Sequence, residues 1–249
     1  MSEDGPAATL SVRGIGKHYG ELVALREVSF DVRAGEVLAI VGPNGAGKTT
    51  LLSIIAGAQR ASAGTVLAAG GYGPAAVGWA PQQAALYSRL TVTENLRLFA
   101  RLERVADPDS ALVRMLEQTG LRERANERVA RLSGGNRQRV NVALALLADP
   151  PVLALDEPSA SLDPAQRERL WEFIKRLARE GRSVVFSSHN MAEVQRHADR
   201  VIVLDRGEEL FDGAPSELMR AAGDGELREL ESALVAFVER SEREHGLRA

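Results

Sequence analysis

Eight consecutive residues carry the clearest chemistry in this chain. Gly42-Pro43-Asn44-Gly45-Ala46-Gly47-Lys48-Thr49 has the spacing G-x-x-x-x-G-K-[ST] of a phosphate-binding loop. Gly42, Gly45 and Gly47 leave the backbone free to fold round an anion with no Cβ in the way. The loop N–H groups then form a positive nest at the start of a helix read over Thr49 to Ala56, where the helix dipole also favours negative charge. Lys48 can reach the outer phosphates, the Thr49 hydroxyl can hold Mg²⁺, and Thr50 follows at the same helix start beside the phosphates. A Gly-rich bend before an ordinary helix is the bland alternative. The order strand, loop, helix favours the phosphate site.

Further groups have the types such a site needs. Val152 to Pro158 reads as a buried-strand run ending in two carboxylates, Asp156 and Glu157. A carboxylate at such a strand tip is where Mg²⁺ needs help, and Glu157 is a candidate base for an attacking water. His189 closes another β run, Ser183 to Ser188, where it is a structural histidine or a sensor of the γ-phosphate. Tyr19 either stacks on a purine or is a half-buried turn tyrosine. Leu132-Ser133-Gly134-Gly135-Asn136 opens a helix with Ser133 as N-cap and bare glycine amides beside it, a second anion-seeking helix start. Asp163 and Pro164 open another as N-cap and N1.

The elements that must position these groups alternate. Leu10 to Gly16, Val23 to Val32 and Val37 to Val41 read as strands, and residues 58 to 77 as a short, weak hairpin. Gly78 to Gln83 leads out of the last strand of this section. Thr91 and Glu94 have capping-box spacing, with a helix running to about Val105. Asp109 to Thr119 is a second amphipathic helix, and the Arg-rich stretch Leu121 to Arg131 reads as helical with a solvated face. Residues 88 to 150 thus form an all-helical insertion between two parts of a β-rich core. After the helix from Asp163 to Gly181, Val201 to Leu204 and Glu208 to Phe211 are short strands. The tail from about Glu226 carries Leu227, Leu230, Leu234 and Phe237 on one helical face, as a docking helix or a self-association stripe. This alternation predicts an α/β core with a largely parallel sheet and the ligand at its C-terminal edge.

Composition narrows the classes. The chain has 249 residues, 45% hydrophobic, with a formal net charge of -3. No basic excess points to nucleic acid. Without cysteine there is no disulfide or thiol chemistry. Met1 to Leu10 lacks signal-peptide features, and no apolar run approaches the ~20 residues of a membrane span. A soluble, intracellular protein is expected, with any membrane part supplied by another chain.

Taken together, in this order, the motifs resemble the ATP-binding cassette (ABC) ATPases, over nearly the whole chain from Leu10 to about Leu218. Gly42 to Thr49 looks like the Walker A loop, and Val152 to Glu157 like Walker B with its catalytic glutamate. Tyr19 falls where the family places its adenine-stacking aromatic. Gln82 looks like the Q-loop glutamine, which in the family touches Mg²⁺ and the water and relays to the membrane subunit. Leu132 to Asn136 resembles the LSGGQ signature, with Asn136 in place of Gln. Ala160-Ser161-Leu162-Asp163 resembles the D-loop and Ser187-Ser188-His189 the switch histidine. Gly64 to Gly78 is shorter than the usual family hairpin.

The resemblance implies one ABC ATPase domain over 1–249. Its nucleotide-binding core, with an antiparallel β subdomain, occupies about 8–87 and 151–220. A helical subdomain occupies 88–150 and a helical tail 221–249. It also implies a P-loop ATPase fold, ATP and Mg²⁺ as ligands, and a head-to-tail, identical-cassette dimer. In that dimer the partner's Ser133, Gly134 and Gly135 cover the γ-phosphate. Glu157 and His189 would position the water, while Lys48 and Mg²⁺ neutralise charge. The implied partners are separate transmembrane permease subunits, with the cassette peripheral on the cytoplasmic face of the cell membrane and no nucleic acid bound. Leu86 to Leu96 and the tail from Leu230 to Phe237 are most similar to type-2 ABC exporters. The alternative is a non-transport cassette acting on ribosomes or DNA. Those forms resemble two joined cassettes or carry a long coiled coil, and neither pattern is present. A nucleotide sensor without work output would need neither Glu157 nor His189.

Overall fold

The computed structural model describes residues 8–68, 77–160, 162–222 and 229–246. Its centre is a six-stranded sheet in the order β5-β6-β7-β3-β8-β9. These are β3 (Val37–Val41), β5 (Val77–Ala80), β6 (Val152–Asp156), β7 (Ser183–Ser187), β8 (Arg200–Asp205) and β9 (Glu208–Gly213). All neighbours run parallel except β9, which is antiparallel to β8. Every residue of β3, β6 and β7 is buried, as a parallel sheet covered on both faces requires. The pleat divides them cleanly. Val37, Ala39, Val41, Leu153, Leu155 and Phe186 pack on one face, whereas Leu38, Ile40, Ala154 and Val185 pack on the other.

A second, three-stranded antiparallel sheet in the order β2-β1-β4 covers that other face together with α1 (Lys48–Ile55). It consists of β1 (Ala8–Tyr19), β2 (Leu22–Arg33) and β4 (Ala63–Ala68). The first face carries α2 (Val92–Leu102), α3 (Pro108–Gln118) and α4 (Gly134–Ala145), all between β5 and β6, and α5 (Pro164–Arg179). The expected α/β class, with a parallel core, an antiparallel sheet and an inserted run of helices, is therefore the observed one. The caps are as read: Thr91 and Glu94 form a reciprocal capping box, and Asp163 caps α5 with Pro164 at its first position.

Several expectations are corrected. Leu121 to Arg131 is not a helix; only short 3-10 turns form, at Arg122–Arg124 and Val129–Arg131. Its backbone is spent elsewhere. The carbonyls of Ala125 and Glu127 accept the N–H groups of Thr93 and Val92 at the start of α2, and the Val129 N–H donates to Leu90 O. In a continuous helix the N–H groups of Val129 and Ala130 would bond four residues back; here they go to Leu90 O and Ser88 O instead. The α2 helix stops at Leu102 rather than Val105, because Arg104 turns left-handed at φ 54°. Of the expected hairpin, β4 pairs with β1, and residues 69–76 lie outside the described residues. Ser161 and Leu227 also lie outside them.

Two short helices, α6 (Met191–His197) and α7 (Pro215–Ala222), were not anticipated. The tail forms α8 (Leu230–Gly246), a docked helix rather than a free stripe. Leu230 and Ala233 are buried, and the Phe237 ring meets Phe211 edge-on at 5.7 Å.

His197, 7% exposed at the end of α6, stacks on Trp171 of α5 at 4.5 Å between ring centres. Burial, reinforced by Lys175 and Arg196, pushes its pKa down from 6.5 to about 4. Above about pH 6.5 it is neutral in both states and adds no pH dependence. As pH falls from about 6.5 towards about 4, the unfolded chain takes up a proton that the folded chain refuses. Stability then drops by up to about 1.4 kcal/mol per pH unit. His197→Phe should keep the stack and remove this component. Urea midpoints at about pH 7.5 and pH 5 should therefore lie closer together in the variant than in the wild type.

Candidate functional site

The phosphate-loop sequence leaves β3 through Gly42, whose φ of 146° and position leave no room for a side chain. A Cβ there would lie 2.0 Å from Leu204 O of β8. At the other end Gly47, at φ 105°, caps α1, and its Cβ would lie 2.7 Å from Ala24 O. Gly45, at φ 84°, faces open space, so the arch between these two pinched ends is clear. The Gly207 N–H donates to Ala46 O at 3.1 Å and pins the loop from outside. Lys48 Nζ donates to Gly42 O at 2.8 Å and Pro43 O at 2.9 Å. Burial holds the Lys48 ammonium below the ordinary lysine range, against the opposing pull of Glu157 and Asp156.

The two carboxylates arrive on β6. Its parallel register with β7 sets Asp156 opposite Ser187. The Ser187 hydroxyl donates to Asp156 Oδ1 at 2.5 Å and accepts the Glu157 N–H at 3.0 Å. Asp156 is 2% exposed, and its second oxygen is buried with no protein hydrogen bond. Glu157 sits at φ 49°, a left-handed conformation that costs a non-glycine residue ~1–3 kcal/mol and is found at functional sites. Its Oε2 lies 2.7 Å from His189 Nδ1, with the Glu157 side chain nearly buried and the imidazole largely exposed.

A cleft of about 360 Å³ gathers Tyr19, Asn44, Gly45, Gly47, Lys48, Thr49, Thr50, Gln82, Asp156 and Glu157. His189 joins it through Glu157. Tyr19 is exposed, not a half-buried turn residue; its hydroxyl donates to Gln59 Oε1 at 2.6 Å and Lys17 Nζ lies 5.0 Å from its ring centre. Beside it Leu22, Val23 and Ala24, the opening of β2, form an apolar wall that the sequence reading did not assign. Ser187 was likewise missed as a bridge, and the signal was a polar residue ending the apolar run Val184-Val185-Phe186.

The second helix start stands apart. Ser133, Gly134, Gly135, Asn136 and Asp163 do not line the cleft. Ser133 Oγ accepts the Asn136 N–H at 3.3 Å, and Asp163 accepts the Gln166 N–H at 2.8 Å. Gly135 is pressed against the same Gln166, whose Oε1 would lie 2.0 Å from a Cβ. Between the two regions runs the loop of Gln82, held at both ends by buried asparagines. Asn141 of α4 donates to Pro81 O at 2.8 Å. Asn95 of α2 accepts the Tyr87 N–H at 2.9 Å and donates to Tyr87 O and Thr91 O.

The donors at the cleft suit a hard cation. Thr49, Gln82 and Asp156 offer only oxygen or amide groups, and the orphaned Asp156 oxygen has capacity to spare. Mg²⁺ is bound by one or two such protein oxygens together with substrate phosphates.

A family model for ABC transporters matches residues 25–160. The chain belongs to the ABC transporter family. It is an ATP-binding cassette with the ATPase fold of that family. The Nod factor export ATP-binding protein I of Burkholderia lata is 37% identical over 225 residues, covering 87% of this chain and 74% of that protein. The linearmycin resistance ATP-binding protein of Bacillus subtilis is 34% identical over 226 residues, covering 86% and 72%. Among solved structures, an ATP-binding subunit of an ABC transporter superposes with a TM-score of 0.81 at 28% identity, over 92% of this chain and 99% of that one. A dimeric ATP-binding cassette in a post-hydrolysis state, bound to ADP and Pi, gives 0.73 at 27% identity, over 82% and 98%.

Ser187→Ala should strip the Glu157 N–H and Asp156 Oδ1 of their shared partner. The expected loss is ~1–3 kcal/mol in urea unfolding, the cost of orphaned buried polar groups. A midpoint unchanged from wild type would mean that solvent satisfies both groups.

Proposed function

We propose that the cassette binds MgATP in the Lys48 cleft, hydrolyses it in a head-to-tail dimer, and drives an exporter built with separate membrane subunits. The observation that carries this reading is the Glu157–His189 pair, 2.7 Å apart beside the Walker A loop. Glu157 takes the proton of the attacking water, and His189 holds the carboxylate and faces the γ-phosphate. Phosphate oxygens replace the Gly42 and Pro43 carbonyls as partners of Lys48 Nζ, so the ammonium neutralises the charge of the leaving and transferred groups. The amides of the loop from Gly42 to Thr50 cradle the phosphates. Tyr19 stacks on the adenine above the apolar wall of β2. Thr49, Asp156 and Gln82 hold Mg²⁺, which supplies Lewis-acid neutralisation of phosphoryl oxygens when bound.

The signature residues Ser133, Gly134, Gly135 and Asn136, with Asp163, lie off this protomer's cleft. That supports a role on the nucleotide of a partner cassette. The post-hydrolysis neighbour is itself a dimer, and the named relatives are export and resistance ATP-binding proteins. No helix among the described residues is long and apolar enough to cross a membrane; the reading puts the cassette at the cytoplasmic face, against its membrane subunits.

Glu157→Gln should retain ATP in a direct titration while hydrolysis falls by ~10²–10⁴-fold, the range for loss of a positioned base. Turnover near wild type would remove Glu157 from the role. For the exporter assignment, a tagged pull-down from detergent-solubilised membranes should recover a multi-span membrane protein in stoichiometric amount. Recovery with ribosomal or DNA-bound proteins alone would overturn that assignment and leave the ATPase standing.

A further inference from the structure

Glu193, in the first turn of α6, is a carboxylate only 5% exposed, and the reading above gives it no part. Its oxygens are divided between separate elements. Oε2 accepts the Ser159 hydroxyl at 2.5 Å, from the loop that follows Glu157. Oε1 lies 2.9 Å from Arg167 Nε of α5, an ion pair whose N–H is not aligned as a hydrogen bond, and 3.4 Å from Asn190 Nδ2. The Glu193 N–H in turn donates to Asn190 Oδ1 at 3.2 Å, and the Asn190 N–H to Ser188 Oγ at 3.0 Å. Arg167 also donates to Leu162 O at 3.3 Å.

These contacts close a ring around the active pair. Ser159 stands two residues after Glu157, and Asn190 directly follows His189. The imidazole is 68% exposed and takes little guidance from packing. Its place is set by the backbone on either side. Before His189, Ser187 at the end of β7 holds Glu157 through its N–H; beyond His189, the Asn190–Glu193 turn anchors the chain. A buried ion pair is weak evidence for stability, so relative placement is the better account of this one.

We propose that Glu193 is a positioning residue. By tying the loop after β6 to the turn before α6, it sets the distance between Glu157 and His189. The inference rests on Glu157 acting as the base. Through Arg167 the same carboxylate also reaches the carbonyl of Leu162, next to Asp163. The geometry of the pair is thus linked to the segment proposed to face a partner cassette.

The test is steady-state ATPase, ATP titration and thermal unfolding on the purified chain, for Glu193→Gln, Ser159→Ala, Glu157→Gln and the Glu157→Gln/Glu193→Gln double variant. Glu193→Gln should lower kcat about 10- to 100-fold, as small misplacements of a catalytic group do, with ATP affinity within about twofold of wild type. The double variant should be no slower than Glu157→Gln alone, because groups acting as a unit are not additive. Wild-type kcat in Glu193→Gln with only a lowered melting temperature overturns the proposal, as does full additivity in the double variant. Should Glu193→Gln not fold, Ser159→Ala decides by the same criteria, since it removes the hydroxyl and keeps the ion pair. Turnover near wild type in Glu157→Gln would instead overturn the underlying assignment of the base, and this inference with it.

Discussion

The structure depends on a tight passage of backbone. Between β3 and α1 the chain passes so close to β8 at Gly42, and to β2 at Gly47, that neither position tolerates a Cβ. The turn between β8 and β9 completes the confinement. Gly207 donates to Ala46 O and accepts from the Arg26 N–H, so one residue joins the phosphate loop to the antiparallel sheet. The nest is therefore shaped before any anion arrives, and preorganised amides cost little to reorient when charge appears. Everything else in the cleft takes its bearings from that fixed arch.

The second group of chemistry comes from strand register. Parallel pairing sets Asp156 beside Ser187, and a single hydroxyl then serves a carboxylate and the N–H of the next residue. That arrangement holds Glu157 in a left-handed conformation that a glutamate would otherwise avoid. The strain is confined to the residue whose carboxylate meets His189. Stable pairing of β6 and β7 thus offsets the local cost of aiming one side chain.

What was legible in the sequence follows from how local each feature is. The phosphate loop, the Thr91 and Asp163 caps and the alternation of strands and helices are written in short spacings, and they stand in the structure. Leu121 to Arg131 carries helix-compatible charges, but two of its carbonyls, Ala125 O and Glu127 O, accept from Thr93 and Val92 at the distant start of α2, which no local pattern records. Ser187 and Glu193 were invisible for a similar reason: the hydroxyl and carboxylate gain meaning only from partners on other strands and helices. Tyr19 stayed ambiguous because exposure and turn propensity look alike in one dimension. With only a few apolar positions each, α6 and α7 are too short to register a period.

The loop of Gln82 has a mechanical property. It leaves the sheet at Pro81, where Asn141 of α4 grips it, and is caught again at Tyr87 by Asn95 of α2. Between the grips the chain bends at Gln82 and Gln83, and the Leu86 N–H donates to Ala84 O at 2.9 Å. Both anchors belong to the inserted helices, whereas β5 before the loop belongs to the parallel sheet. A loop fastened at both ends to the inserted helices sets the amide of Gln82, which lines the cleft, in their frame as well as in that of β5.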